Sequence, residues 1–198
     1  MAIHITSKTK SLRVKPAHGV ELKEIIEQEL RSQGPDADLN FIDTSLVTDM
    51  NGLFYGFMGI KNIKIDEWDV SNVWDMRAMF GKCYDFNADL SRWDVSNVQR
   101  MDHMFLECHK FNSDLSDWDT SSAVNMESMF DSCTIFESDL SNWNTSNVRY
   151  MQSMFQKCNN FESDLSAWDV SNVKKNGGIF YMCTKMMGKK HLQPKFTI

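Results

Sequence analysis

Proline and glycine are scarce, at three and nine among 198 residues, so little of the chain reads as linker or low-complexity segment. No run of 18 apolar residues occurs, which excludes a membrane-spanning helix. The opening MAIHITSKTKSL lacks the apolar stretch of an export signal. No CxxC or CxxH pair appears among the cysteines. A Gly-rich phosphate loop and a nucleophile elbow are also missing. The histidines, His4, His18, His103, His109 and His191, are scattered, and His103 and His109 stand six apart, off the i, i+4 spacing of helical metal ligands. These absences predict a protein that is not an enzyme, uses no cofactor and holds no metal. As given, the chain reads as cytoplasmic.

Charge divides the chain. The net value of −6 combines an acidic body, residues 39–183 with 11 basic and 21 acidic side chains, and a basic end, residues 184–198 with four lysines and no acid. An acidic body repels phosphate, so nucleic acid is excluded as a partner and a protein partner is expected.

What the chain does contain is one sentence said repeatedly. Trp68, Trp93, Trp118, Trp143 and Trp168 follow each other at 25-residue steps, as do Cys83, Cys108, Cys133, Cys158 and Cys183, and Phe80, Phe105, Phe130, Phe155 and Phe180. A degraded copy begins at Leu39, where IDTSLVTDMNGLF stands for WDVSNVWDMRAMF. Such a period marks a stack of repeats, each unable to bury its apolar face alone.

Within one unit, WDVS alternates with the two-residue period of a strand, Trp93 and Val95 facing one side. SN then supplies capping side chains before Val98, Met101, Met104, Phe105, Cys108 and Phe111, which fall within roughly 140° of a helical wheel. The spacing predicts a short strand, a turn, a short helix and a return loop. Stacking then gives one parallel sheet and a row of helices. The cysteines become a column of buried thiols, with a column of thiolate metal ligands as the alternative.

WD-V/T-S, N-V, M-x-x-M-F and x-x-C over residues 39–183 resemble the BspA-like leucine-rich repeats, and more closely the 25- or 26-residue WDVSNVxxMxxMF repeats of bacterial surface lipoproteins. That resemblance implies an α/β solenoid, a leucine-rich-repeat-like right-handed coil, and suggests macromolecular binding or adhesion at a surface or in a secreted form. The chain shows neither the export signal nor the lipid-anchor cysteine of surface members.

Three parts are expected: a cap over residues 1–38, the repeats over 39–183, and a C-terminal cap with a basic tail over 184–198. The N-terminal cap reads as a hairpin around Ser7 to Lys10, then a helix in GVELKEIIEQELRSQGP with Leu22, Ile25, Ile26 and Leu30 on one stripe, stopped by Gly34-Pro35. At the far end Gly177-Gly178 weakens the last helix, and Phe196 and Ile198 read as a final edge strand.

If the tryptophans face inward, the outward positions form columns. Glu67, Arg92, Asp117, Asn142 and Ala167 vary. Asp69, Asp94, Asp119, Asn144 and Asp169 hardly do, and Ser71, Ser96, Ser121, Ser146 and Ser171 are constant. The aspartates read either as acceptors for a neighbouring rung's serine or backbone, or as an acidic strip for a basic partner or a weakly held calcium ion. No glycine-rich calcium loop is present. Tryptophan in phase with valine reads as core; an exposed stripe stacking on sugars is the alternative. Trp74 breaks the register and is a surface-contact candidate. Asn144-Thr145-Ser146 matches a glycosylation sequon by accident of the repeat.

The sequence thus predicts a non-enzymatic protein-binding module, using the first two columns on the sheet face. The alternatives are a structural rod assembling through its ends as a homo-oligomer and, third, a glycan-binding or hydrolytic protein.

Overall fold

A computed structural model of the chain describes residues 14–196. The repeats stack as rungs, so that Trp68 lies on Trp93 and Phe80 on Phe105, with ring centroids 6.4 and 5.7 Å apart. Among the described residues neither the sheet nor the helix row forms. Among the described residues the only α-helix is α1, Gly19–Gln33, accompanied by two 3-10 turns, Thr184–Met186 and Lys190–Leu192. Rungs meet through isolated parallel bridges, Asp49 to Asp75 to Arg100 to Asn125 to Tyr150 to Lys175, with no strand. The expected α/β coil of leucine-rich-repeat type is therefore overturned.

Tight turns replace the expected helices. In one rung the N–H groups of Met79, Gly81 and Cys83 bond back three residues, to the carbonyls of Met76, Ala78 and Phe80, at 3.0–3.2 Å. Those of Met76, Ala78, Phe80 and Lys82 instead donate forward, to Arg100, Asp102, Met104 and Leu106 of the next rung, at 2.7–2.9 Å. Left-handed backbone makes this possible: Ala78 and Lys82 have φ of 49° and 62°, as do their equivalents His103 and Glu107 at 60° each. Every N–H inside an α-helix must reach back four residues, and a left-handed residue at every fourth place forbids it. Helices this short are marginal alone, whereas the stack offers alternate N–H groups a partner one rung on. Helix and turn run place the same side chains inward, so the apolar spacing suits both. This hydrogen-bonded flank is called the ladder below.

The tryptophan flank follows the predicted alternation without forming a strand. Trp68, Trp93, Trp118, Trp143 and Trp168 are 3–4% exposed. Side chains, not backbone, tie this flank together. The indole N–H groups of Trp93, Trp118, Trp143 and Trp168 donate to the carbonyls of Ile65, Leu90, Leu115 and Leu140 in the preceding rung at 2.9–3.0 Å. Thr120 and Thr145 hydroxyls donate to the carbonyls of Asn144 and Asp169 in the next rung. Each indole is thus buried with its donor satisfied, which makes its area stabilising.

Between the flanks run stacked rings. Phe80 faces Phe86 within its rung at 4.1 Å and Phe105 across the gap at 5.7 Å, and Phe105, Phe130 and Phe155 repeat the arrangement. All five cysteines are buried and unpaired. Each thiol donates to a carbonyl of the preceding rung, as Cys108 does to Phe80 at 3.0 Å. Burial pushes the Cys83 thiol up to about 12 and the Cys183 thiol to about 11, so neither is a ready nucleophile or thiolate ligand.

The ends differ. At α1 the His18 ring accepts the Glu21 N–H while the Glu21 carboxylate accepts the Ala17 N–H, a reciprocal cap. Gly34, with φ of 85°, closes the helix. Leu22, Ile25 and Ile26 are buried. The N-terminus of α1 presses on the first rung of the ladder: a Cβ on Gly19 would meet the Asp49 carbonyl at 2.5 Å. At the other end, residues 184–196 fold back over the tryptophan flank, where the Leu192 carbonyl takes the Leu165 N–H at 2.8 Å. Phe196 packs there without forming a strand. Ile198 and the expected hairpin around Ser7 to Lys10 lie outside the described residues. Gly178, read above as weakening a helix, has φ of 70° and takes the left-handed place that Ser153 holds one rung earlier.

Candidate binding surface

The first outward column sits at the edge of the tryptophan flank. Glu67, Arg92, Asp117, Asn142 and Ala167 are all exposed. They flank indoles whose burial fixes where each projects, so they can differ from rung to rung without disturbing the core. At the first rungs, Glu67 joins Asp66, Asp38, Lys64 and Asp89 around an open cleft of about 630 Å³.

The second column is exposed too, but its groups are occupied. Asp69, Asp94 and Asn144 each accept both the N–H and the hydroxyl of the serine two residues on, the hydroxyls at 2.6–2.7 Å. Asp119 and Asp169 accept the N–H of Ser121 and Ser171. The partner is the rung's own serine rather than a neighbour's, because a carboxylate two residues before an N–H closes a local turn. These bonds hold the carboxyls of Asp119 and Asp169 below the usual range.

A second acidic line, Asp89, Asp114, Asp139 and Asp164, makes the same turn with Ser91, Ser116, Ser141 and Ser166. There the neighbouring rung does contribute: the hydroxyls of Ser138 and Ser163 donate to Asp114 and Asp139 while accepting the N–H of Leu115 and Leu140. Among the described residues no group of three or more histidines, cysteines, aspartates or glutamates is arranged to hold a metal ion.

Trp74 lies on the ladder, 43% exposed, its N–H donated to Thr48 and its carbonyl accepting from Gln99. The ladder is the surface that sequence reasoning missed. Its polar positions also vary from rung to rung. Asp75, fully buried, is held by the Arg77 guanidinium at 2.9 Å, with Arg100 at 3.9 Å. Arg100 in turn approaches Asp102 at 3.6 Å, and His103 lies 3.8 Å from the other Asp102 oxygen. The Asp102 carboxylate beside it raises the His103 pKa. One rung on, burial raises the Asp131 carboxyl although Ser132 and Gln156 donate to it. The signal was in the sequence: the columns starting at Asp75, Arg77 and Ala78 vary as much as the one starting at Glu67. Assigning them to the back of a helix hid them.

The family model described as "Mycoplasma protein of unknown function, DUF285" matches residues 23–139 and 114–193. The chain belongs to this family. The two matched stretches together span the rungs, and the family is one of repeat proteins. No curated protein and no solved structure matches the chain. Among the described residues no helix is long and apolar enough to cross a membrane.

Proposed function

We propose that the chain is a non-enzymatic binding module whose side-chain columns recognise a protein partner. One observation carries this reading: inward positions are nearly invariant from rung to rung and buried, while one exposed and one partly exposed set vary. These are the Glu67, Arg92, Asp117, Asn142 column and the ladder positions around Trp74, Arg100 and His103. A recognition surface needs such freedom, and buried columns of tryptophan, phenylalanine and cysteine supply the rigid support for it. Likeness to BspA-like surface repeats favours adhesion as the setting.

The test is comparative interaction profiling from extracts of a DUF285-bearing mycoplasma. The wild-type chain is set against a Glu67→Ala/Arg92→Ala/Asp117→Ala variant and against Trp74→Ala, with circular dichroism as the folding control. Loss of a defined protein from either variant supports the reading. Identical profiles from all three overturn it. End-to-end assembly into a rod is the second reading. The bare C-terminal rung favours it, while α1, lying over the opposite end, opposes it.

A further inference from the structure

The ladder is polar along the stack. In each rung, alternate peptide units point the same way, carbonyl toward the rung before and N–H toward the rung after. Met151, Ser153, Phe155 and Lys157 donate to Lys175, Gly177, Ile179 and Tyr181 at 2.8–3.0 Å. The equivalent N–H groups of the last rung belong to Asn176, Gly178, Phe180 and Met182, and none has a hydrogen-bond partner among the described residues. Over its described residues the C-terminal tail closes only the tryptophan flank, through Leu192. Phe180 stacks on Phe155 at 5.7 Å and stays partly exposed. Tyr181 and Met182 beside it are 61% and 53% exposed.

From this bare edge we infer that the C-terminal face of the ladder docks an acidic polypeptide segment, which adds as a further rung in the same turn conformation. Three features select that occupant. Over residues 176–182 the edge offers four donors at alternate places, joined by one acceptor at the Lys174 carbonyl, whose equivalents Trp74, Gln99, Val124 and Arg149 each take an N–H from the next rung. An ordinary β-strand alternates N–H with C=O along its edge, so it would set N–H against N–H. A rung of the repeat presents four carbonyls to those donors and one N–H to the acceptor, and every internal junction from Trp74 onward shows that fit. The aligned peptide dipoles end positive here, and residues 174–196 carry six lysines and no acid, which favours carboxylates on the incoming segment. A second copy's own first rung is obstructed by α1, with Gly19 against the Asp49 carbonyl. This end face is separate from the side columns, and either holds without the other.

The test uses the full chain, ¹⁵N-labelled, titrated with a reduced synthetic peptide of residues 119–140, which has five acidic residues and no basic one. Saturable shifts and exchange protection at the amides of Asn176, Gly178, Phe180 and Met182 are expected, with a scrambled peptide binding about tenfold more weakly. Asn176→Pro deletes a donor that no internal bond uses and should weaken binding about fivefold. Lys175→Glu, which leaves the backbone donors in place, should weaken it as well. Ala substitutions at Glu67, Arg92 and Asp117 should leave peptide binding unchanged, which separates this site from the side columns. Equal binding of the scrambled peptide, no shift at the four amides, or self-association through those amides overturns the proposal.

Discussion

The two flanks of each rung solve the same stacking problem by different means. On the ladder, backbone N–H groups reach the next rung directly, four per rung, and left-handed residues make room for them. On the tryptophan flank the backbone spends its N–H groups on local turns, as Trp93 does to Leu90 and Val98 to Val95, and indoles and threonines carry the bonds between rungs. The ladder therefore depends little on which polar side chain stands at each place, so its surface can vary. The tryptophan flank depends on particular side chains, and outside the Glu67 column its sequence scarcely changes.

Four measurements break or sharpen that contrast. Largest is removal of a ring between the flanks. Phe130→Ala in mid-stack should cost about 3–5 kcal/mol in urea unfolding, and Phe180→Ala, on the partly exposed last rung, clearly less; equal losses would show that the last rung is as tightly held as the middle. Next is the side-chain tie. Trp118→Phe keeps most of the buried area but removes the indole bond to the Leu90 carbonyl, which keeps only the Trp93 N–H, for a loss of about 0.5–1.5 kcal/mol by the same assay, and a neutral result would move the stabilisation from the hydrogen bond to the ring.

Smaller is the ladder's backbone strain. Lys157 has φ of 56°, so Lys157→Gly should raise stability slightly, by up to about 1 kcal/mol against its cost in chain entropy. A clear drop in the melting midpoint would mean that the left-handed place is not strained. Smallest are the titrations, which run in opposite directions on the two flanks. The carboxyls of Asp114, Asp119 and Asp139 are held low by hydrogen bonds from Ser116, Ser121 and Ser163 and the local backbone. Their stabilisation is complete above the ordinary value of 3.8 and is lost as pH falls through the lower folded values. His103, raised from 6.5 by Asp102, contributes stability below 6.5 that is lost as pH rises through its folded value. His103→Gln should flatten that near-neutral slope in a melting series and leave the acid limb unchanged.

Much of this was legible beforehand. The inward set of tryptophan, valine, methionine, phenylalanine and cysteine follows from the 25-residue period, and the α1 stripe with its Gly34 stop from ordinary helix signals. The exposed Glu67 column followed from alternation at WDVS. The helices did not materialise because steps of three and four fit a run of turns as well as a helix. With the helices went the sheet opposite them, and the ladder positions, read as a solvent-facing helix back, went unexamined as a surface.

By itself, the order of residues settled which side chains are buried and that each lies on its counterpart one repeat away, since apolar area demands it. Only the stacked molecule decided where the backbone N–H groups go. A single repeat has no second rung to offer them, and once the neighbour is in place, its carbonyls compete with the helix and win.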